Sequence, residues 1–488
     1  MSNKSSVFTN LIWRLAERSG AQLVSFVVSL VLARLLDPEL YGTIALVIVF
    51  TTILQVFVDS GLGNALIQKK DADNIDFSTV FYTNIVFCLV LYIIIFLSAP
   101  FIAAFFKDPQ LIPLVRVLSL TVLISGVKNV QQAYVSRNML FKKFFFSTLG
   151  GTIAAAVVGI VMAASGMGVW ALVAQQIINL TIDTTILWFT VKWRPLKVFS
   201  FERLKTLYSF GWKLLVSALL DTLYNNVRQL IIGKLYTKTD LAFYNKGKQF
   251  PNIIVTNVNS SIDSVLLPAM SSEQDNSTHV KNMTRRAIKT SIYIMAPLMM
   301  GLAFTAPVIV KLLLTDKWLP CVPFLRIFCI TYMFYPIHTA NLNAIKALGH
   351  SEIFLKLEII KKVIGLILMI STMWFGVMVM AYSLLLSSVI SQIINSWPNR
   401  KLLNYSYIDQ IKDIMPGMLL AVFMGACVGF IGYLKINTLI VLAIQIVVGI
   451  LVYVGGSVIL KLDSFNYLLG IIKPVIGRSF SKKTKKEA

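Results

Sequence analysis

Residues 78–106 read STVFYTNIVFCLVLYIIIFLSAPFIAAFF, and no charged side chain interrupts them. A helix needs about 20 mostly apolar residues to cross a bilayer, and this stretch exceeds that length. The other spanning solution, a closed barrel, alternates its side chains with period two over about ten residues. Runs such as Ile153–Ala164 show no such alternation. Working outward, helical spans are expected at 11–36, 40–66, 78–106, 111–135, 144–165, 168–192, 208–232, 248–272, 286–314, 321–348, 354–376, 377–397, 411–434 and 437–460. Turn signals separate several of them: Asp37-Pro38, Asp108-Pro109, Gly166-Met167-Gly168, Trp318-Leu319-Pro320 and Lys435-Ile436-Asn437. The fold class is an all-α polytopic membrane protein with about 14 transmembrane helices. Loops stay under about twenty residues, too short to hide a soluble catalytic domain.

Composition agrees. Of 488 residues, 57% are hydrophobic and 14% charged, against roughly 25% charged in a soluble domain. The net charge of +23 in a soluble chain would suggest nucleic acid. Here the cations sit in short segments between apolar runs, where topology and anionic headgroups account for them, and no nucleic-acid partner is expected. Cys88, Cys321, Cys329 and Cys427 lie in apolar segments without a CxxC pair, and His279, His338 and His350 are scattered. Buried thiols are expected, with no metal site and no cofactor. Arg14, Glu17 and Arg18 interrupt the N-terminal segment, so it reads as the entry to the first span and not as a cleaved signal.

Lys and Arg number 31 on the side that includes both termini and 9 on the other, with Arg116, Lys128, Lys213, Arg228 and Arg326 inside spans. That asymmetry predicts cytoplasmic termini. The chain also repeats. Ala99-Pro100-Phe101-Ile102 is echoed by Ala306-Pro307-Val308-Ile309, Arg116 by Arg326 within similar apolar segments, and Gly166 and Ala171 by Gly376 and Ala381, at offsets of 207, 210 and 210. Two parallel six-span lobes are expected, at 1–197 and 198–400, an arrangement that in transporters places the substrate site between halves.

Ionisable groups within spans are costly and mark candidate sites. Span 1 carries Arg14, Arg18, Gln22, Ser25 and Ser29; span 7 carries Lys213, Ser217, Asp221, Asn225 and Arg228. Steps of three and four keep each set on one helix face. The two stripes are expected to line a cavity. For Arg14, Arg18, Lys213 and Lys128, snorkelling to headgroups is the competing reading; for Asp221 and Arg228 it is a structural pair. Arg116 and Arg326 read as anchors before cavity cations. Asp59, before Ser60-Gly61, reads as an ion-binding carboxylate or as the end of a broken helix. Glu17 reads as a titrating acid or a partner of Arg14 or Arg18. Cations outnumber acids in the stripes, which suits an anionic substrate such as a phosphate.

No GxxxxGK[ST], GxSxG or HExxH motif is present, so neither a P-loop ATPase nor these hydrolase classes is expected, and the chain is not read as an enzyme. A multidrug cation exporter would need acids facing an apolar cavity. A membrane glycosyltransferase or polymerase would need carboxylates grouped in a large outer loop, whereas Asp37, Glu39, Asp108, Asp240 and Asp316 are dispersed. A passive scaffold leaves the paired stripes unexplained.

Four segments carry a resemblance across essentially the whole chain. These are Ala33-Arg34-Leu35-Leu36-Asp37-Pro38-Glu39-Leu40-Tyr41-Gly42, Asp59-Ser60-Gly61-Leu62-Gly63-Asn64-Ala65-Leu66-Ile67-Gln68-Lys69-Lys70, Gly166-Met167-Gly168-Val169-Trp170-Ala171-Leu172 and Leu266-Leu267-Pro268-Ala269-Met270-Ser271. Together they resemble the Wzx-type polysaccharide transporters, lipid-linked oligosaccharide flippases of the multidrug/oligosaccharidyl-lipid/polysaccharide exporter superfamily. The resemblance implies two six-helix lobes, an extra helix pair at 401–465 and a basic cytoplasmic tail at 466–488. It implies flipping of an undecaprenyl-diphosphate-linked oligosaccharide across a bacterial inner membrane, for surface or exopolysaccharide synthesis. Spans 1, 2, 7 and 8 would line the cavity, with Arg14, Arg18, Lys213 and Arg228 as its cations, joined by Lys128, Gln22 and Asn225. Span 8 departs from some relatives in carrying no Arg or Lys within 249–272. With no nucleotide site in view, an H⁺ or Na⁺ gradient would drive transport through Asp221, Asp59 or Glu17. A polysaccharide polymerase complex is the expected protein partner.

Overall fold

In hydrocarbon each backbone N–H and C=O must find its partner within the segment, so apolar runs become helices. The computed structural model describes residues 4–59, 61–434 and 436–470; the side chains of 4–12, 14, 15, 18 and 210 lie outside what is described. Among the described residues every element is helical. The chain forms two compact units, Met1–Ala242 and Phe243–Ala488.

The first unit contains α1 (Lys4–Leu35), α2 (Pro38–Asp59), α3 (Leu62–Gln68), α4 (Asn74–Phe106), α5 (Leu111–Leu118), α6 (Leu120–Arg137), α7 (Phe141–Ala164), α8 (Val169–Thr190) and α9 (Phe201–Leu235). Lipid tails are as apolar as leucine, so helices here associate through close packing and not through the hydrophobic effect. Small residues supply that closeness. Gly151, Ala155, Gly159 and Ala163 are buried at four-residue steps on α7, and a Cβ on Gly151 would lie 2.6 Å from the Asn179 carbonyl of α8. A Cβ on Gly126 of α6 would lie 2.6 Å from Cys88 Sγ of α4. Leu66, Phe77, Phe81, Val130, Leu187 and Leu207 close one core from α3, α4, α6, α8 and α9, with Trp193 from the α8–α9 connection.

The turn between α3 and α4 is held by charge. Arg137 donates to the main-chain oxygens of Leu66 (2.9 Å), Lys69 and Lys70 (2.6 Å), satisfying carbonyls at the end of α3. Asp73 caps α4 in a reciprocal box with Asp76. Arg203 Nη1 lies 2.5 Å from Asp73, and Lys69 Nζ lies 2.8 Å from Asp76. The Arg203 hydrogen bond, aided by main-chain N–H donors, holds the Asp73 carboxyl below its ordinary range.

Helix α10 (Lys238–Ser271) begins in the first unit and continues in the second. It is followed by α11 (Ser277–Leu314), a 3-10 turn (Asp316–Cys321), α12 (Val322–Met333), α13 (Tyr335–Ala347), α14 (Ser351–Thr372), α15 (Val377–Leu402), α16 (Tyr407–Ile431) and α17 (Thr438–Ile459). A buried amide cluster ties α13, α15 and α16 together. Asn341 and Gln410 exchange hydrogen bonds of 2.8 and 3.0 Å, and Asn399 donates to Asn341 Oδ1 at 2.7 Å. Helices α16 and α17 are fastened to α11. Arg285 holds Asp413 through two contacts of 2.6 Å, Tyr453 donates to the Tyr293 carbonyl at 2.8 Å, and Tyr293 and Ser457 share a 2.7 Å hydroxyl contact.

Among the described residues, ten segments are long and apolar enough to cross a membrane: Pro38–Gln68, Asn74–Phe106, Leu111–Arg137, Phe141–Ala164, Lys238–Ser271, Ser277–Leu314, Asp316–Ala347, Val377–Leu402, Tyr407–Ile431 and Thr438–Ile459. The chain is therefore a multi-pass helical membrane protein. Helices α1, α8, α9 and α14, expected as spans, have 32, 22, 35 and 22 residues but a more polar composition. Three expected spans are interrupted. The span at 40–66 is α2 and α3, with Gly61 at φ −99°, ψ −97° before α3. The span at 111–135 is α5 and α6, meeting at Ser119. The span at 321–348 is α12 and α13, where Pro336 near the start of α13 removes an N–H.

The repeat has a backbone counterpart. Left-handed corners occur at Lys107 (φ 54°) and Thr315 (φ 88°), at Met139 (φ 54°) and Gly349 (φ 83°), and at Gly166 (φ 76°) and Gly376 (φ 106°). Their offsets are 208, 210 and 210.

Candidate functional site

Helix α9 starts at the Ser200 cap, whose hydroxyl accepts from Arg203 N. Two glycines let it lie close to its neighbours. A Cβ on Gly211 would sit 3.0 Å from the Gly61 backbone, and one on Gly233 would sit 2.2 Å from Leu46 Cδ2. Between them one face of the helix is open. Lys213, Ser217, Asp221 and Asn225, at steps of four, are all exposed. Arg228 is buried, at 9% exposure. Beside this polar stripe runs an exposed apolar one, Trp212, Val216, Leu220 and Leu223. An apolar sector suits acyl chains, and a polar sector with cations suits water or anions.

The α1 stripe is less open. Gln22 and Ser29 are half-buried, Ser25 is exposed, and Thr148 of α7 approaches Glu17 Oε1 at 3.5 Å. The Arg14 and Arg18 side chains lie outside the described residues. Helix α1 packs on α7, whereas α9 packs on α2, α3 and α4.

Lys128 forms a salt bridge with Asp183 of α8 at 2.5 Å, both largely buried. Asp59 is the last residue of α2, at the helix break, and is exposed. Gln55 Nε2 donates to both its oxygens at 3.1 Å and Asn129 Nδ2 approaches Oδ1 at 3.4 Å. Arg116 and Arg326 donate to main-chain oxygens of Phe96 and Ala303.

Three features escaped the sequence reading. Asp183, an acid inside an apolar span, belonged with the other intramembrane charges. Lys246 of α10 is buried, with Nζ 5.4 Å from the Trp318 ring. Helix α10 also exposes Asn252, Thr256, Ser260 and Asp263, at steps of 4, 4 and 3. Only one of these is charged, so a search for charge passes over the stripe, although its period is visible.

Comparison with known proteins places this geometry. A family profile described as "Polysaccharide biosynthesis protein" matches residues 31–323. The teichuronic acid biosynthesis protein TuaB of Bacillus subtilis is 25% identical over 382 residues, covering 77% of this chain and 78% of TuaB. The lipopolysaccharide biosynthesis protein WzxC of Escherichia coli is 22% identical over 413 residues, covering 84% and 82%. The solved structure of the lipid II flippase MurJ in an inward closed conformation superposes with a TM-score of 0.75 at 16% identity, over 93% of this chain and 99% of MurJ. At that identity the likeness is one of fold.

Proposed function

The chain belongs to the polysaccharide biosynthesis protein family, and from that premise we propose that it flips an undecaprenyl-diphosphate-linked oligosaccharide across the bacterial inner membrane by alternating access. The product serves surface or exopolysaccharide synthesis, and a polymerase complex receives it. On this reading all fourteen long helical segments cross the bilayer, and both termini are cytoplasmic. The recurring left-handed corners support two matched six-span lobes, 1–197 and 198–400, followed by an extra pair at 401–465.

The observation that carries the reading is the double face of α9. A diphosphate and its sugars cannot enter hydrocarbon without partners for their charge and hydroxyls. Lys213, Ser217, Asp221 and Asn225 offer such partners on an exposed face. The prenyl tail stays in lipid against Trp212, Val216, Leu220 and Leu223. Arg228, Lys128, Arg14 and Arg18 complete the cationic set, with Gln22 as a neutral hydrogen-bonding partner. An H⁺ or Na⁺ gradient supplies energy through an acid among Asp221, Asp59 and Glu17. The α10 stripe, which carries Asp263 and no cation, suits sugar hydroxyls better than phosphate.

The test replaces Lys213 and Arg228 singly with Ala and measures surface polysaccharide at equal protein level. The expected result is less polymer, with lipid-linked precursor retained in the inner leaflet. Unchanged polymer in both variants counts against the stripe.

A further inference from the structure

Asp59 stands where a carboxylate is poorly placed. It ends α2, whose last turn holds no basic residue, so its charge adds to the negative end of the helix dipole and to carbonyls left without intrahelical donors. The surrounding side chains are carboxamides. Gln55 Nε2 reaches both Asp59 oxygens at 3.1 Å, and Asn129 Nδ2 reaches Oδ1 at 3.4 Å. Asn84 in turn donates to Asn129 Oδ1 at 3.2 Å. Asn129 approaches this closely because residue 63 is glycine: a Cβ there would lie 2.6 Å from Asn129 Oδ1.

Lys128, the residue before Asn129 in α6, is close enough to act on Asp59 electrostatically. Its ammonium is already committed to Asp183 at 2.5 Å. Asp183 is itself 5% exposed, and its Oδ1 has no hydrogen-bond partner among the described residues. Two carboxylates, buried Asp183 and exposed Asp59, thus draw on one ammonium, leaving one negative charge in excess. An uncompensated intramembrane charge is costly, and a single monovalent cation balances it.

We propose that Asp59, with the side-chain oxygens of Gln55 and Asn129, binds a sodium ion at the break between α2 and α3. Carboxamide O and N exchange places by rotation of the amide. Turning Asn84 and Asn129 together preserves their mutual bond while presenting Asn129 Oδ1 to the ion. Oxygen ligands suit a hard cation. One carboxylate at the site matches a single charge; a divalent ion such as Ca²⁺ takes six to eight oxygens, several of them from carboxylates. A proton would need only Asp59 and no surrounding amides. Asp59 is exposed, so the ion has a route in. That this ion drives flipping rests on the transport reading above; that it binds does not.

The experiment uses the purified full-length protein in lipid nanodiscs without lipid-linked sugar. Equilibrium binding of radioactive Na⁺ is measured against choline and K⁺ at constant ionic strength. Saturable binding of one Na⁺ per chain is expected, weakened at least tenfold in Asp59→Asn and several-fold in Asn129→Ala, and unchanged in Asp316→Asn. If Asp59→Asn does not fold, Asn129→Ala and Gly63→Ala decide the matter. Wild-type protein that shows no Na⁺ binding above choline, or that takes up only protons, overturns the proposal. So do folded Asp59 and Asn129 variants with wild-type affinity. The polysaccharide phenotype of Lys213→Ala is read separately, so failure here leaves the flippase reading standing.

Discussion

Arg116 and Arg326, 210 positions apart, make the same bond: each Nε donates to a main-chain oxygen in the preceding span, at 3.3 Å to Phe96 and 3.2 Å to Ala303. The acceptors are themselves 207 positions apart. Such charge-assisted bonds contribute about 1.5–3 kcal/mol when well shielded, and less where the guanidinium is partly exposed. Arg116→Ala and Arg326→Ala are each predicted to cost about 1 kcal/mol of stability, and to add in the double variant because the sites share no partner. Thermal unfolding in detergent checks this. A loss in only one of the two would show that the repeat does not extend to function of the anchors.

Thr315 is a β-branched residue held at φ 88°, where Lys107 occupies the matched corner at φ 54°. A left-handed conformation costs a non-glycine residue about 1–2 kcal/mol, offset by glycine's entropic penalty of roughly 0.5–1 kcal/mol. Thr315→Gly is predicted to stabilise by up to about 1 kcal/mol. Met139→Gly, at the position whose counterpart is Gly349, should act in the same direction. A lower unfolding temperature in both would argue against strain at these corners.

Asn341, Asn399 and Gln410 are all buried, with 0% exposure. Asn341→Ala strips Gln410 of its partner and leaves Asn399 Nδ2 only the main-chain oxygen of residue 341, and an orphaned buried amide costs about 1–3 kcal/mol. The variant should lose stability by at least about 2 kcal/mol, and amide exchange should rise in α13, α15 and α16 together. Exchange confined to α13 would speak against a cooperative cluster.

Much of this architecture is legible in the sequence. Residues 78–106, 144–165 and 437–460 fall within a few residues of α4, α7 and α17, because continuous apolarity leaves the backbone no alternative. Helices α9, α10 and α11 instead begin at Phe201, Lys238 and Ser277, well before the apolar stretches at 208, 248 and 286. Their polar first turns continue the helical hydrogen bonding after the reason for membrane burial has ended. The break at Ser119 lies within apolar sequence and carries no composition signal, whereas the one at Phe334 is marked by Pro336. For the candidate site, the α9 stripe could be read from spacing alone. The Lys128–Asp183 contact could not, since it joins residues 55 apart through the packing of α6 against α8.

Asp73 titrates below the ordinary carboxylate range because Arg203 and main-chain donors favour its charged form. A depressed folded-state value means that the interaction contributes fully above the unfolded pKa and is lost as pH falls through the folded one. The α3–α4 turn is therefore predicted to loosen only in acid, below the usual aspartate range. Arg203→Ala should move that loosening to higher pH. Hydrogen exchange across residues 69–76 between pH 3 and 7 reads the shift, and an identical profile in the variant would sink the assignment.

Along α9, Trp212, Val216, Leu220 and Leu223 stand open beside Lys213, Ser217, Asp221 and Asn225. An amphiphile travelling along such a helix keeps each end in its own solvent for the whole journey. Methylene units beyond the first few remain dissolved among acyl chains at every stage, so they cancel from the free energy of passage. Carriers of unequal prenyl length bearing one sugar should then be handled alike, and one carrier bearing different sugars should not. On the proposed flippase function, choice of cargo falls to the head.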